Sequence, residues 1–209
     1  MNDQFLRLRI RPEVVLFFEN TYSVDRQGNL VFSYGTDQEC LEEGFHLIPV
    51  SKSIWRAGQE NPALVRKIFV CQSALDAICF LHLNFTVFPE PDRLLFIAVG
   101  LIPQDSHFKV LSDLSKGKQL CLVMGSGMLG HLADLKMAAG IKGRTCNIRY
   151  MEPEIIRVSY RDKVYEFSET KISLNAFEIA SGLRSGMRTY KPKLYESYTA
   201  QILQQDCKY

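Results

Sequence analysis

Two stretches of the chain carry residues whose spacing could bind a charged ligand. The apolar run Leu120–Met124 is followed by three glycines in the pattern G-x-G-x-x-G, at Gly125, Gly127 and Gly130. This spacing lets a strand–turn–helix unit hold the pyrophosphate of a dinucleotide. The apolar run 67–71 ends at Gln72, and a helical pattern with Asp76 in its first turn follows. Both runs predict parallel strands, so these residues are expected at one edge of a sheet, where ligand sites form in open α/β proteins.

Together the two stretches resemble the Toprim domain of bacterial primases and topoisomerases. In that family one strand ends in Glu before a helix that carries Asp-Ala, and a later strand ends in Asp-x-Asp, with Gly three positions further on. Here Gln72 stands at the Glu position and Asp76 is retained. Gly125 and Gly127 replace the two aspartates, and Gly130 is in register. The resemblance covers roughly residues 50 to 150 and is closest to Toprim-like proteins of mobilisable and conjugative elements.

The resemblance implies a Toprim-like fold without its catalytic groups. The family's Glu is thought to act as a general acid/base, and its aspartates bind Mg²⁺, which prefers hard, anionic oxygen ligands. An amide at position 72 cannot exchange a proton near neutral pH, and glycine offers only backbone carbonyls. We therefore expect no enzymatic activity, no bound metal and no cofactor.

Three other interpretations of these stretches remain open. The glycine turn could bind a nucleotide, although a dinucleotide fingerprint normally belongs to the first βαβ unit and here follows the third core strand. Asp76 and Ser73 also fit a capping box at the start of a helix, and we favour that structural role for Asp76. A third possibility is a protein-interaction module that contacts no ligand.

Basic residues supply the candidates for phosphate or nucleic-acid contact. They fall into an N-terminal group, a group around the third core helix, and a tyrosine-rich tail: Arg7, Arg9 and Arg11; Lys136, Lys142, Arg144 and Arg149; Arg188, Lys191 and Lys193. Cations beside aromatic residues can contact phosphates and stack on unpaired bases. The alternative is a solvated surface, which also fits a chain whose net charge is only +2.

Composition limits the remaining classes. The chain has 209 residues, of which 46% are hydrophobic, so it can bury a substantial core. Its six cysteines form no C-x-x-C pair, which predicts buried free thiols and no zinc site. The N-terminal stretch MNDQFLRLRIRPE lacks the apolar segment of a secretory signal, and the apolar runs fall short of the ~20 residues that cross a bilayer. We expect a cytoplasmic protein that does not contact membranes.

The expected fold is an α/β protein in three regions. Residues 1–60 predict a β-rich part, beginning with a strand over 5–11 that places its arginines on one face. Residues 61–152 predict the Toprim-like core, in which continuous apolar strands and crossover helices form a parallel sheet covered on both faces. Its fourth strand is predicted at 146–150. Residues 153–209 predict a hairpin, a helix and the basic tail.

The resulting hypothesis is a non-catalytic accessory factor in the DNA mobilisation or replication of a bacterial mobile element. Its expected partners are single- or double-stranded DNA and a relaxase or primase. The glycine turn would at most accept a phosphate through backbone N–H groups and a helix N-terminus.

Overall fold

A computed structural model describes residues 3–151 and 154–205, and the side chains of 3–151 and 154–204. Two short helices and a meander of antiparallel strands come first, followed by a strand that joins the central sheet. Their bounds are α1 (Asp3–Arg7), α2 (Pro12–Phe17), β1 (Ser23–Val24), β2 (Leu30–Tyr34), β3 (Asp37–Glu42), β4 (Phe45–Leu47) and β5 (Trp55–Gly58).

The middle of the chain alternates strands and helices, as the apolar runs predict. Its elements are β6 (Lys67–Cys71), α3 (Ala74–Leu83), β7 (Leu94–Ala98), α4 (Asp105–Leu114), β8 (Gln119–Val123) and α5 (Met128–Ile141). Single 3₁₀ turns at Phe85–Val87 and Pro91–Arg93 join α3 to β7, and another at Glu19–Thr21 follows α2.

The C-terminal part contains a second small sheet and returns to the first. Its elements are β9 (Asn147–Met151), β10 (Ile155–Tyr160), β11 (Lys163–Ser168), α6 (Leu174–Ser181), β12 (Arg188–Thr189) and α7 (Tyr198–Gln205). The predicted hairpin is confirmed: β10 and β11 pair antiparallel and turn at Arg161 and Asp162, both with positive φ.

The central sheet has the strand order β12-β8-β6-β7-β5. Strands β12, β8, β6 and β7 are parallel, and β5 is an antiparallel edge. Side chains of β6 alternate between two cores: Phe69 packs with α2 and α3, and Val70 packs with α5 and α6. The prediction of an α/β protein is therefore confirmed, whereas the central sheet is mixed and not wholly parallel, because β5 is antiparallel. All three predicted regions contribute strands to this sheet.

The strand predicted over residues 5–11 is wrong. Residues 5–11 begin in α1 and not in a strand: Phe5 and Leu8 are buried at helical spacing, whereas Leu6 is 50% exposed. A short alternating run does not by itself exclude a helix. The β-rich part ends with β5, whose Trp55 is buried and pairs with Ala98 of the central sheet.

The predicted fourth strand of the parallel sheet is also wrong in its placement. Strand β9 pairs antiparallel with β10 in the separate sheet β11-β10-β9. Its Asn147, Arg149 and Tyr150 are exposed, and an inner parallel strand needs apolar residues on both faces. The fourth parallel strand is β12, from the tail.

The described cysteines, Cys40, Cys71, Cys79, Cys121 and Cys146, are free, and three of them are buried. Cys207 lies outside the described residues. No helix of the described chain is long and apolar enough to span a membrane.

Candidate functional site

The two stretches singled out in the sequence meet at the carboxyl ends of β6 and β8, here called the strand-end edge. The strands are neighbours, with Cys71 opposite Val123, so Gln72 and Gly125 follow them side by side. An ideal Cβ on Gly125 would lie 3.9 Å from Oε1 of Gln72. The Gln72 amide donates to the carbonyl of Leu101 at 3.1 Å. The predicted juxtaposition of these positions is therefore confirmed.

Residues 188–199, here called the strap, cover this edge. The strap begins as β12, and the Tyr190 N–H donates to the carbonyl of Leu122 at 2.8 Å. It then crosses the glycine turn, where the Ser126 N–H donates to the carbonyl of Glu196 at 2.9 Å. The Ser126 hydroxyl donates to the carbonyl of Tyr195, also at 2.9 Å. The strap thus occupies the position that a ligand would take above the turn.

Two of the three glycines are explained by close backbone packing. A Cβ on Gly125 would lie 2.6 Å from the Glu196 carbonyl oxygen, and one on Gly130 would overlap the carbonyl of Gly125. A Cβ on Gly127 would meet only the Glu196 side chain, at 3.5 Å. Two of the three glycines therefore permit a tight turn and the strap above it, which accounts for G-x-G-x-x-G spacing without a nucleotide.

Lys191 places an ammonium group at the strand-end edge. Its Nζ donates to the carbonyl of Gly125 at 2.8 Å and lies 2.6 Å from Oδ2 of Asp134, a fully buried residue of α5. The contact with Asp134 is an ion pair and not an aligned hydrogen bond, and Oδ1 of Asp134 has no hydrogen-bond partner within the described residues. Burial raises the pKa of Asp134 to about 6, although Lys191 opposes this shift. Burial likewise lowers the pKa of Lys191, against the effect of Asp134.

Asp76 anchors the far end of the strap. Its Oδ1 accepts from the N–H of Thr199 at 2.8 Å and from the hydroxyl of Thr199 at 2.7 Å. Ser73 caps α3 by accepting from the Asp76 N–H at 2.9 Å, which is half of the predicted capping box. The other half is wrong for the side chain of Asp76, because its carboxylate bonds the strap. Burial raises its pKa, and the bonds from Thr199 oppose this.

A second carboxylate, that of Glu39 in β3, lies at the N-terminus of α3. Glu39 is fully buried, and its two oxygens accept from the N–H groups of Ala74 at 2.7 Å and Leu75 at 3.0 Å. It also accepts from the Tyr34 hydroxyl at 2.6 Å and contacts Nε2 of His46 at 2.9 Å. An anion at a helix N-terminus is stabilised by the helix dipole. Glu39 therefore takes the place that a phosphate would otherwise find there.

The predicted basic residues fall into three groups that lie on different elements of the structure. Arg7, Arg9 and Arg11 are exposed around α1, and Arg7 pairs with Glu43 at 3.6 Å. Arg188 and Lys193 are exposed on the strap, whereas Lys191 is held in its buried pair and is not available to a phosphate. The remaining four belong to α5 and the chain that follows it: Lys136, Lys142, Arg144 and Arg149.

Two of these four, Lys136 and Arg144, line a groove between α4 and the C-terminal half of α5, here called the α4–α5 groove. Its volume is about 680 Å³, and its cations are Lys109, Lys136 and Arg144. The α4 side is one helical face, made by Asp105, Phe108, Lys109, Ser112 and Asp113. Among the described residues no carboxylate forms an ion pair with any of the three cations, whereas Asp113 pairs with Lys116 at 2.9 Å.

Several residues of these sites were missed by sequence reasoning. Glu39, Asp134, Glu196 and Thr199 reach the strand-end edge through contacts distant in sequence, which single-chain patterns do not reveal. Lys109 and Phe108 had a detectable signal, since they share one face of a predicted helix, but that face was not paired with α5. Over residues 3–151 and 154–205, no group of three or more His, Cys, Asp or Glu is placed to hold a metal ion.

Comparison with protein-family models, curated proteins and solved structures finds no match for this chain.

Proposed function

We propose that this protein is a catalytically inactive, Toprim-like, nucleic-acid-associated factor that acts in the cytoplasm. Its role would be accessory, in the mobilisation or replication of the DNA of a bacterial mobile element. A relaxase or primase would be its protein partner. The α4–α5 groove and the basic chain next to it would supply the contacts to nucleic acid.

Inactivity is supported by the chemistry of the strand-end edge. The three positions that carry acids in the Toprim pattern are Gln72, Gly125 and Gly127, and the strap lies over the last two. The nearby acids are already engaged: Asp76 with Thr199, and Asp134 with Lys191. A reaction that needs a carboxylate-bound Mg²⁺ has no set of free acids to bind it here.

The observation that carries the binding proposal is the set of cations without ionic partners along α5 and the chain after it. Lys136, Lys142, Arg144 and Arg149 form no ion pair with a described residue, and Lys109 lines the same groove as Lys136 and Arg144. Four of these five are exposed, and Lys136 is half-buried. Because phosphate contacts dominate nucleic-acid affinity, a local cluster of this kind can bind even when the net charge is only +2.

The test is fluorescence anisotropy with labelled single strands and duplexes over a salt series. We expect binding that weakens steeply between about 50 mM and 200 mM salt, with a slope set by the number of phosphates contacted. Charge reversal of Lys136, Lys142 and Arg144 to Glu should abolish it. Reversal of Lys52, Lys163 and Arg184, which are exposed elsewhere, changes the net charge equally and should weaken it far less.

Two outcomes would contradict the proposal. One is an absence of salt-dependent binding at low salt, and the other is equal weakening by the two triple variants. Mg²⁺-dependent nicking of supercoiled DNA above background would overturn the inactivity. Co-purification of the tagged protein with a relaxase or primase tests the proposed partner.

A further inference from the structure

The α4–α5 groove combines three kinds of group that recognise a nucleotide. Cations come from both helices and the following loop, an aromatic ring comes from Phe108, and hydrogen-bonding side chains come from Ser112, Thr145 and Asn147. Its volume of about 680 Å³ lies within the usual range of small-molecule sites, roughly 300 to 1,000 Å³. The groove is therefore large enough for one nucleotide unit.

The ring of Phe108 is held in a fixed orientation by α5. An ideal Cβ on Gly140 would lie almost equally close to three consecutive ring carbons of Phe108, Cγ, Cδ2 and Cε2. That geometry places Gly140 over the face of the ring, because an approach along the ring edge would favour one carbon. Phe108 remains half-buried and lines the groove. A ring fixed on one face is a suitable platform for a base, since stacking then costs little side-chain entropy.

The groove carries both cations, which suit the phosphate of a nucleotide, and carboxylates, which suit the amino group of a base. Lys109, Lys136 and Arg144 lack ionic partners among the described residues and can contact a phosphate. Asp105 and Asp113 also line the groove, and Asp113 is paired with Lys116. A carboxylate repels phosphate but accepts a hydrogen bond from the exocyclic amino group of a base.

We propose that the α4–α5 groove holds one unpaired nucleotide of a polynucleotide, with its base on Phe108 and its phosphate near Lys136 and Arg144. This inference rests on the proposed function and specifies its substrate as single-stranded nucleic acid. A base in a duplex cannot enter a concave groove, because neighbouring bases cover both of its faces and the complementary base covers its pairing edge. An unpaired base can be splayed out and stacked on an aromatic ring.

The test measures anisotropy with single strands of DNA and RNA, with duplexes of the same sequence, and with free mononucleotide as competitor. The variant Phe108→Leu removes the flat ring and keeps an apolar side chain. Phe167→Leu is its matched control, because Phe167 is also half-buried but lies in β11, away from the groove. Circular dichroism confirms that each variant is folded.

We expect single strands to bind more tightly than duplexes. Phe108→Leu should weaken single-strand binding by about tenfold or more while the salt slope stays unchanged, because stacking involves no counterion release. Phe167→Leu should leave the affinity unchanged. The double variant Lys136→Met, Arg144→Met should instead reduce the salt slope for single strands by about 1.4. It changes accessible side chains, so it keeps the proposal testable if Phe108→Leu does not fold.

The failures can be told apart. Equal binding of single strands and duplexes, or equal effects of Phe108→Leu and Phe167→Leu, would overturn the groove as the nucleotide site and leave nucleic-acid association intact. An unchanged salt slope in Lys136→Met, Arg144→Met would do the same. Absence of binding to every polynucleotide would overturn both this inference and the proposed function.

Discussion

At the scale of single residues, the glycines after β8 have the G-x-G-x-x-G spacing of a dinucleotide-binding turn, but their contacts give that spacing a structural explanation. Gly125 and Gly130 are required because backbone atoms lie where a side chain would begin. Gly127, the N-cap of α5, has room for a Cβ in ordinary van der Waals contact. The same G-x-G-x-x-G spacing that admits a pyrophosphate in other proteins here admits the chain's own Glu196 carbonyl.

This difference predicts unequal effects of alanine at the two neighbouring glycines. Gly125→Ala should lower the free energy of unfolding by about 1–3 kcal/mol, because the new methyl group meets a backbone carbonyl that cannot move without shifting the strap. Gly127→Ala should cost less than about 1 kcal/mol. Urea denaturation of the two variants and the wild type measures the difference. Equal losses would show that the strap does not constrain position 125.

At the scale of elements, the strap is a chain segment whose anchors are mainly polar. Lys191, Ser126 and Asp76 hold it through hydrogen bonds and one buried ion pair. Tyr190 and Tyr198 add edge contacts to Phe80. A buried ion pair contributes little net stability but specifies one arrangement, because removing either partner leaves a buried charge uncompensated. We therefore expect the Lys191–Asp134 pair to fix the register of the strap on the strand-end edge.

Removing the ammonium of Lys191 should loosen the strap. Lys191→Met keeps the aliphatic stem and leaves Asp134 without its counterion. We expect amide hydrogen exchange of residues 189–199 and of Ser126 to become faster by at least about tenfold. Lys193→Met is the matched control, because Lys193 is an exposed lysine of the same strap. Adding Asp134→Asn to Lys191→Met should restore part of the protection. Equal exchange in the two single variants would show that the pair does not hold the strap.

At the scale of the whole molecule, charge is distributed unevenly although the net charge is +2. Cations that pair with no carboxylate of residues 3–151 and 154–204 lie along α5 and the loop after it, while Glu39, Asp76 and Asp134 are buried. Burial raises the pKa of Asp76 and Asp134, whereas hydrogen bonds lower the pKa of Asp25 and Asp113. As the pH rises, carboxyl groups with raised pKa values lower the free energy of unfolding, and those with lowered pKa values raise it. Single substitutions are needed to separate these contributions.

Asp134 should make the protein less stable as the pH rises from about 4 to 6. Its pKa is about 6 when folded and about 3.8 otherwise, so in this window the folded state binds more protons at this group. The free energy of unfolding of the wild type relative to Asp134→Asn should therefore fall by up to about 3 kcal/mol between pH 4 and pH 7. Urea denaturation across that range measures it. Asp113 should show a difference of opposite sign only at lower pH, because its pKa is lowered from about 3.8, so the wild-type-minus-Asp113→Asn curve should change little between pH 4 and pH 7. A flat wild-type-minus-Asp134→Asn curve would contradict the burial of a charge at position 134.

Much of the core was determined by local sequence. Continuous apolar runs at 67–71 and 120–124, each followed by a helical pattern, were enough to predict parallel strands and to bring Gln72 beside Gly125, because parallel strands end at the same edge. The hairpin near Asp162 was equally local. The sequence also determined that positions 72, 125 and 127 carry no acid, since that depends on residue type alone.

Only the tertiary structure decided what covers that edge and which strands complete the sheet. Pairing of β12 with β8, the bonds of Asp76 to Thr199, and the Lys191–Asp134 pair join residues 57 or more positions apart, and no periodicity encodes such contacts. Strand β9 was misplaced for a different reason: it pairs locally with β10, the next strand along the chain, and its exposed Asn147, Arg149 and Tyr150 do not suit an inner strand of a parallel sheet. The glycine turn can thus be recognised in the sequence, but what packs above it depends on the tertiary structure, which places the strap there.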